Sequence, residues 1–170
     1  MTPPPSAAEA HDQVRVSVLV EVAPEVAFQV FTQDIDRWWR RGLKYRVARG
    51  RAGAIHLEPG VGGRLYESLS AGGDTRLVET GRVTLWEPPH RLAFEWRAIN
   101  FEPGDTTEVD VSFEPSPSGT RVTLTHRGWS RIRGDHPVRH GLDPVAFGRG
   151  MGLWWADLMS SLREHASTGA

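Results

Sequence analysis

Apolar and polar positions change period along the chain, and each change marks an element. In VRVSVLVEV, residues 14–22, Val14, Val16, Val18, Val20 and Val22 fall on every second position, the mark of a strand buried on one face. The following APEVAFQVFTQDIDRWWRRG changes to a helical period. Pro24 suits a first helical turn, Glu25 favours its positive end, and Val26, Val30 and Phe31 make an apolar stripe. Asp34 is expected to open a second short helix that Gly42 stops.

Period two returns from 54 to 98. AIHLEPGVGGRLYESL reads as strand, glycine turn, strand, and TRLVETGRVTLWEPPHRLAFEWRA as two more strands joined at EPPHR, with Leu92, Phe94 and Trp96 on one face. TTEVDVSFEP and GTRVTLTHRGW flank SPSG as a hairpin whose buried sides are Val109, Val111 and Phe113 against Val122, Leu124 and His126. Residues 131–146 have no clean period and read as a loop, with room for a short helical turn. Phe147, Met151, Trp155, Leu158 and Leu162 then recur at helical spacing, so a long amphipathic helix closes the chain.

Strands joined by short turns must be mainly antiparallel, because a parallel neighbour needs a crossover. The expected class is therefore α+β: a sheet of six to seven strands, two short helices after the first strand, and a long last helix covering the apolar face. Residues 1–13, rich in Pro and Ala, are expected to be a flexible tail, and residues 14–166 one domain.

Two adjacent-Trp pairs, Trp38–Trp39 and Trp154–Trp155, complicate that picture. Neighbouring side chains diverge by about 100° on a helix, so one flat buried surface cannot absorb both rings of a pair. If a strongly twisted sheet wraps the last helix, the two surfaces diverge and leave a gap. One ring of each pair then belongs to the core and the other to the gap.

Composition narrows the function. The net charge is -1 and the sequence pI about 6.7, which gives no general basic field for nucleic acid or an anionic membrane. Cysteine is absent, excluding thiol nucleophiles and thiolate metal sites and agreeing with a cytoplasmic protein. No apolar run approaches the roughly 18 residues of a membrane span. GVGGR and GRGMG lack the Lys and Ser or Thr of a phosphate loop, and no Gly-x-Ser-x-Gly elbow occurs, so no cofactor is expected. DHPVRHGLD holds Asp135, His136, His140 and Asp143, but Pro137 breaks the helix an i, i+4 histidine pair requires, and a polar loop over the gap is the reading preferred to a metal site.

The segments APEVAFQVFT with IDRWW, EPGVGGRLYE, GRVTLWEPPHRLAFEW, TEVDVSFEPSPSGTRVTLTHRG and GLWWADLMSSL, taken in that order, resemble the activator of heat-shock-protein-90 ATPase homologue-like family of the START-related helix-grip superfamily. The likeness spans about residues 14 to 165. It implies a curved antiparallel sheet gripping the C-terminal helix around an apolar cavity, in a family whose members bind hydrophobic molecules or act as cyclases or lyases. Two departures, the long charged stretch 129–147 and the doubled Trp of the last helix, fall near the expected cavity mouth, so ligand identity does not transfer.

The candidate wall comprises Trp38, Trp39, Tyr66, Trp96, His126, Met151, Trp154, Trp155 and Leu158. His126 is read first as a hydrogen-bonded core residue and second, with Glu67, as the acid or base of a cyclase-like enzyme. Arg37, Arg40 and Arg41 beside the first Trp pair are read as a solvated face, with attraction of a ligand carboxylate or phosphate as the alternative. The expected partners are a small hydrophobic ligand and, from the family name, a protein such as a chaperone ATPase; the chain itself is expected as monomer or homodimer. Binding without chemistry is the simpler of these functions.

Overall fold

The computed structural model describes residues 3–4, 11–47, 53–71 and 73–168. Strand β1 (Val14–Val20) turns its valines inward on alternate positions, Val14, Val16 and Val18 half-buried and Val20 buried, and leads into helix α1 (Pro24–Gln33) and the four-residue helix α2 (Ile35–Trp38). Six strands follow: β2 (Ala54–Leu57), β3 (Arg64–Ala71), β4 (Asp74–Glu87), β5 (Arg91–Trp96), β6 (Thr107–Ser116) and β7 (Gly119–Arg127). Short 3-10 turns at Trp129–Arg131 and Pro137–Arg139 precede the long helix α3 (Pro144–Thr168).

The seven strands form one curled antiparallel sheet in the order β1-β7-β6-β5-β4-β3-β2. β6 and β7 pair with Val109 opposite His126, Val111 opposite Leu124 and Phe113 opposite Val122, the hairpin register the alternation predicts. β1 closes against β7, with Val18 opposite Val122. The inner faces of β5, β6 and β7 carry Phe94, Val111, Phe113 and Leu124, and Trp155, Leu158, Met159 and Leu162 of α3 share their cluster. α1 adds Phe28 and Phe31, whose ring centroids lie 5.2 and 5.8 Å from that of Phe113.

Three local expectations change. The buried stripe of α1 is Ala27, Phe28 and Phe31, and Val26 faces solvent, because the helix docks one residue further round. α2 ends at Trp38 instead of continuing to Gly42, since Trp39 turns extended to send its indole N–H to the Tyr45 carbonyl at 3.0 Å. Of the expected tail 1–13, residues 1–2 and 5–10 lie outside the described residues, but Asp12 is anchored: its carboxylate accepts the backbone N–H groups of Gly128 and Ser130, each at 3.1 Å. Partial burial would raise the Asp12 pKa, but those bonds, with the Ser130 hydroxyl and the charge of Arg131, outweigh it and hold the group below its ordinary 3.8.

Two bulges shape the sheet. Between β3 and β4, Leu65 pairs with Gly81 but Tyr66 with Glu79, leaving Thr80 as the extra residue; a second irregularity lies between Val83 and Leu85. A bulge bends its strand and re-aims the residue at its apex.

Candidate functional site

A cavity of about 720 Å³ lies among Ile55 of β2, Leu65 and Glu67 of β3, Thr80 of β4, Trp96 of β5 and the first half of α3, which contributes Phe147, Gly150, Met151 and Trp154. Residues 43–47 bound it from one side and Val138, His140 and Leu142 from another. Its volume and its mostly apolar wall fall within the ordinary range of small-molecule sites, roughly 300–1,000 Å³.

Each Trp pair is divided. Trp38, 1% exposed, turns into the core, donating its indole N–H to the Phe31 carbonyl at 3.1 Å with its ring centroid 4.9 Å from that of Phe31. Trp39 turns to the cavity, and its ring meets Trp154 edge-on at 5.9 Å and Trp155 at 5.7 Å. Trp154 stands on the wall and donates to the Lys44 carbonyl at 2.8 Å, while Trp155 is fully buried behind it.

The other candidates divide in the same way. Trp96 and Met151 are on the wall. Glu67 alternates inward and is 4% exposed; its carboxylate accepts the Val47 N–H at 2.8 Å and so ties the 43–47 segment to β3. Tyr66 bounds the cavity, but its ring stacks on His56 at 4.8 Å and carries the Arg64 guanidinium at 4.9 Å.

Trp38, Trp155, Leu158 and His126 are not on the wall, a correction to the expected set. Each side chain is turned into solid packing, and period alone does not say where along the helix the sheet falls away.

His126 is a satisfied core residue. Trp155 donates to its Nδ1 at 3.0 Å, and its Nε2 lies 2.7 Å from the Thr107 hydroxyl, which in turn reaches the Trp96 carbonyl at 3.1 Å. Complete burial pushes its pKa down to about 3. It is a neutral support under the strand end that carries Trp96, with no path to the cavity.

Two of the arginines beside the first Trp pair are occupied, and Arg37 is exposed. Arg40 pairs with Asp157 at 3.1 Å and Arg41 with Asp36 at 3.3 Å. The cations on the wall are instead Lys44, Arg46 and Arg97. Arg46 is spent internally, donating to the Asp36 carboxylate at 2.6 Å, the Asp36 carbonyl at 2.8 Å and the Arg40 carbonyl at 3.1 Å. Asp36 also accepts the Ile55 N–H; burial would raise its pKa, but these bonds together hold it below 3.8.

Tyr45 escaped the sequence reading because its segment has no period. Its hydroxyl donates to the Asp157 carboxylate on α3, and its ring lies 5.7 Å from that of Trp154. Thr80 was equally hidden, since a bulge leaves no mark in an alternation that merely slips by one.

Residues 129–147 form a small folded lobe over this end. Phe101, Trp129, Ile132 and Phe147 make a second core, and the Arg139 guanidinium caps the Trp129 and Ile132 carbonyls at 2.6 and 2.7 Å. Three of the four suspected metal residues have other work: Asp143 caps α3 through the Ala146 N–H at 2.8 Å, Asp135 pairs with Arg133, and His136 accepts the Val138 N–H at 3.1 Å, while His140 stands on the cavity wall. Among the described residues no group of three or more His, Asp or Glu is placed to hold a metal, and no helix is long and apolar enough to cross a membrane.

Comparison with known proteins follows the same fold. Protein MLL2253 from Mesorhizobium loti is 20% identical at a TM-score of 0.61, covering 93% of this chain and 98% of its own. The Aha1 dimer from Colwellia psychrerythraea is 18% identical at 0.59, covering 91% and 95%. An anthrahydroquino-Gama-pyrone synthase, Txn09, solved as a complex, is 30% identical at 0.54, covering 89% and 98%. No curated protein matches. The family described as Activator of Hsp90 ATPase homolog 1-like protein matches residues 21–149, most of the chain. With the curled sheet and closing helix shared across these structures, the chain belongs to the activator of Hsp90 ATPase homolog 1-like family.

Proposed function

We propose that this protein binds a small hydrophobic molecule in the cavity between the sheet and the first half of α3. The observation that carries the reading is the division of both Trp pairs, which puts Trp39 and Trp154 on the wall of a mostly apolar space of about 720 Å³. A core built only for stability packs to near-crystalline density and leaves few voids larger than a water molecule. Native mass spectrometry of the purified protein, followed by extraction, tests it: a bound small molecule, or quenching of tryptophan fluorescence by a saturable apolar ligand, is expected. A protein that quenches with no member of a broad apolar panel overturns the reading.

A second reading, catalysis on an aromatic substrate, draws support from the 30% identity to the Txn09 synthase and from Glu67 on the wall. In it Glu67 is the acid or base; His126, enclosed and neutral, takes no part. Product formation retained in Glu67→Gln would remove that residue from the mechanism. A role with a chaperone partner rests on the family name, and the Colwellia relative's dimer supports a homodimer here.

A further inference from the structure

We propose that the ligand is an anionic amphiphile, its apolar body in the indole-walled cavity and its acidic head at the mouth beside Arg97 and Lys44; this rests on the binding reading above. Three separate chain segments reach the mouth with the same pairing of one nitrogen-bearing side chain and one exposed aliphatic. Lys44 follows Leu43, which is 64% exposed; Arg97 precedes Ile99, 69% exposed; His140 precedes Leu142, 43% exposed. Solvent-facing aliphatics gathered around one opening mark a surface that an apolar chain or ring passing between them would cover.

The charges on the wall are unbalanced. Arg46 is neutralised by Asp36, and its side chain is 1% exposed. Among the described residues, neither Lys44 nor Arg97 forms an ion pair within 4.0 Å. The Arg97 guanidinium donates to the Glu102 carbonyl at 3.0 Å, a neutral acceptor that leaves its charge uncompensated. Lys44 feels Asp157, but that carboxylate is already held by the Tyr45 hydroxyl and Arg40. Attraction at the mouth and the mostly apolar wall beyond it give one orientation: tail in, acid out.

Two matched sets of probes test this by isothermal titration calorimetry at neutral pH: dodecanoate, dodecanol and dodecylamine, and a tricyclic set of anthracene carboxylate, its alcohol and its aminomethyl analogue. In at least one set the acid is expected to bind about tenfold tighter than the alcohol and tighter still than the amine, roughly 1.4 kcal/mol per tenfold. That preference should shrink at high salt, and in Lys44→Gln/Arg97→Gln the acid-to-alcohol ratio should fall towards one, with unchanged circular dichroism confirming the fold. Equal binding of acid and alcohol, or preference for the amine, overturns the proposal and leaves the cavity reading standing. Absence of binding by all six overturns both.

Discussion

The indole N–H of Trp155 points at Nδ1 of His126 from 3.0 Å, so that nitrogen is an acceptor and the imidazole proton sits on Nε2, facing Thr107 Oγ1 at 2.7 Å. Thr107 directs its own proton to the Trp96 carbonyl. The relay is complete with a neutral imidazole, and a second proton on Nδ1 would oppose the indole N–H.

Acid should therefore destabilise the protein before its carboxylates titrate. In the unfolded chain His126 takes up a proton near 6.5, while in the fold it resists until about 3. Between those values the unfolded state binds more protons, so the contribution is whole above about pH 6.5 and is lost as pH falls, by up to roughly 5 kcal/mol. Asp12, Asp36 and Asp157 are depressed from 3.8, so their losses come lower. Urea denaturation of wild type and His126→Gln from pH 4 to pH 7 should show a steep slope in the first and a shallow one in the second.

Tyr45 should ionise above its ordinary 10.0, first because it is partly buried and then because its hydroxyl donates to Asp157. The chain has two tyrosines, so a Tyr66→Phe background isolates the signal. Ultraviolet titration is expected to show a late phenol, moved only part of the way back by Asp157→Asn because burial remains.

Gly81 tests the bulge that exposes Thr80 to the cavity. A Cβ there would stand 1.9 Å from the Glu95 carbonyl oxygen, a backbone atom that cannot give way. Gly81→Ala is expected to cost about 2 kcal/mol or more in chemical denaturation. Wild-type stability in that variant would mean that β4 and β5 approach each other less closely than this contact requires.

Gly150 faces open space: a Cβ added there would meet nothing within 4 Å. Gly150→Ala should stabilise by about 0.5–1 kcal/mol, because the helix loses a flexible residue at no steric expense. Gly150→Phe projects into the cavity and should weaken any cavity ligand at least tenfold while the far half of α3 keeps its packing. Calorimetry on the two variants separates the effects.

The fold was legible because it is periodic: the alternations of β1, β6 and β7 contain their own register, and Phe147 to Leu162 mark one face of α3. The site was legible only in part. Adjacent Trp residues had to diverge, and they do, but which member of each pair faces the cavity depends on where α3 leaves the sheet. Tyr45, Thr80 and the paired arginines depend on contacts distant in sequence: Asp157 lies 112 residues from Tyr45 and is a surface acid by its local pattern. Residues 129–147 looked like a polar loop because their core is assembled from single apolar residues with no period.

Gly148, Gly150 and Gly152 space the first turns of α3, each about 1 kcal/mol less favourable to helix than alanine. The turns beyond, from Trp155 to Leu162, are clamped in the core. One continuous helix thus has two stabilities, and the weaker half is the roof of the cavity. Amide hydrogens of residues 147–153 should exchange well before those of 155–162, the roof fraying while the sheet and its buried histidine stay closed.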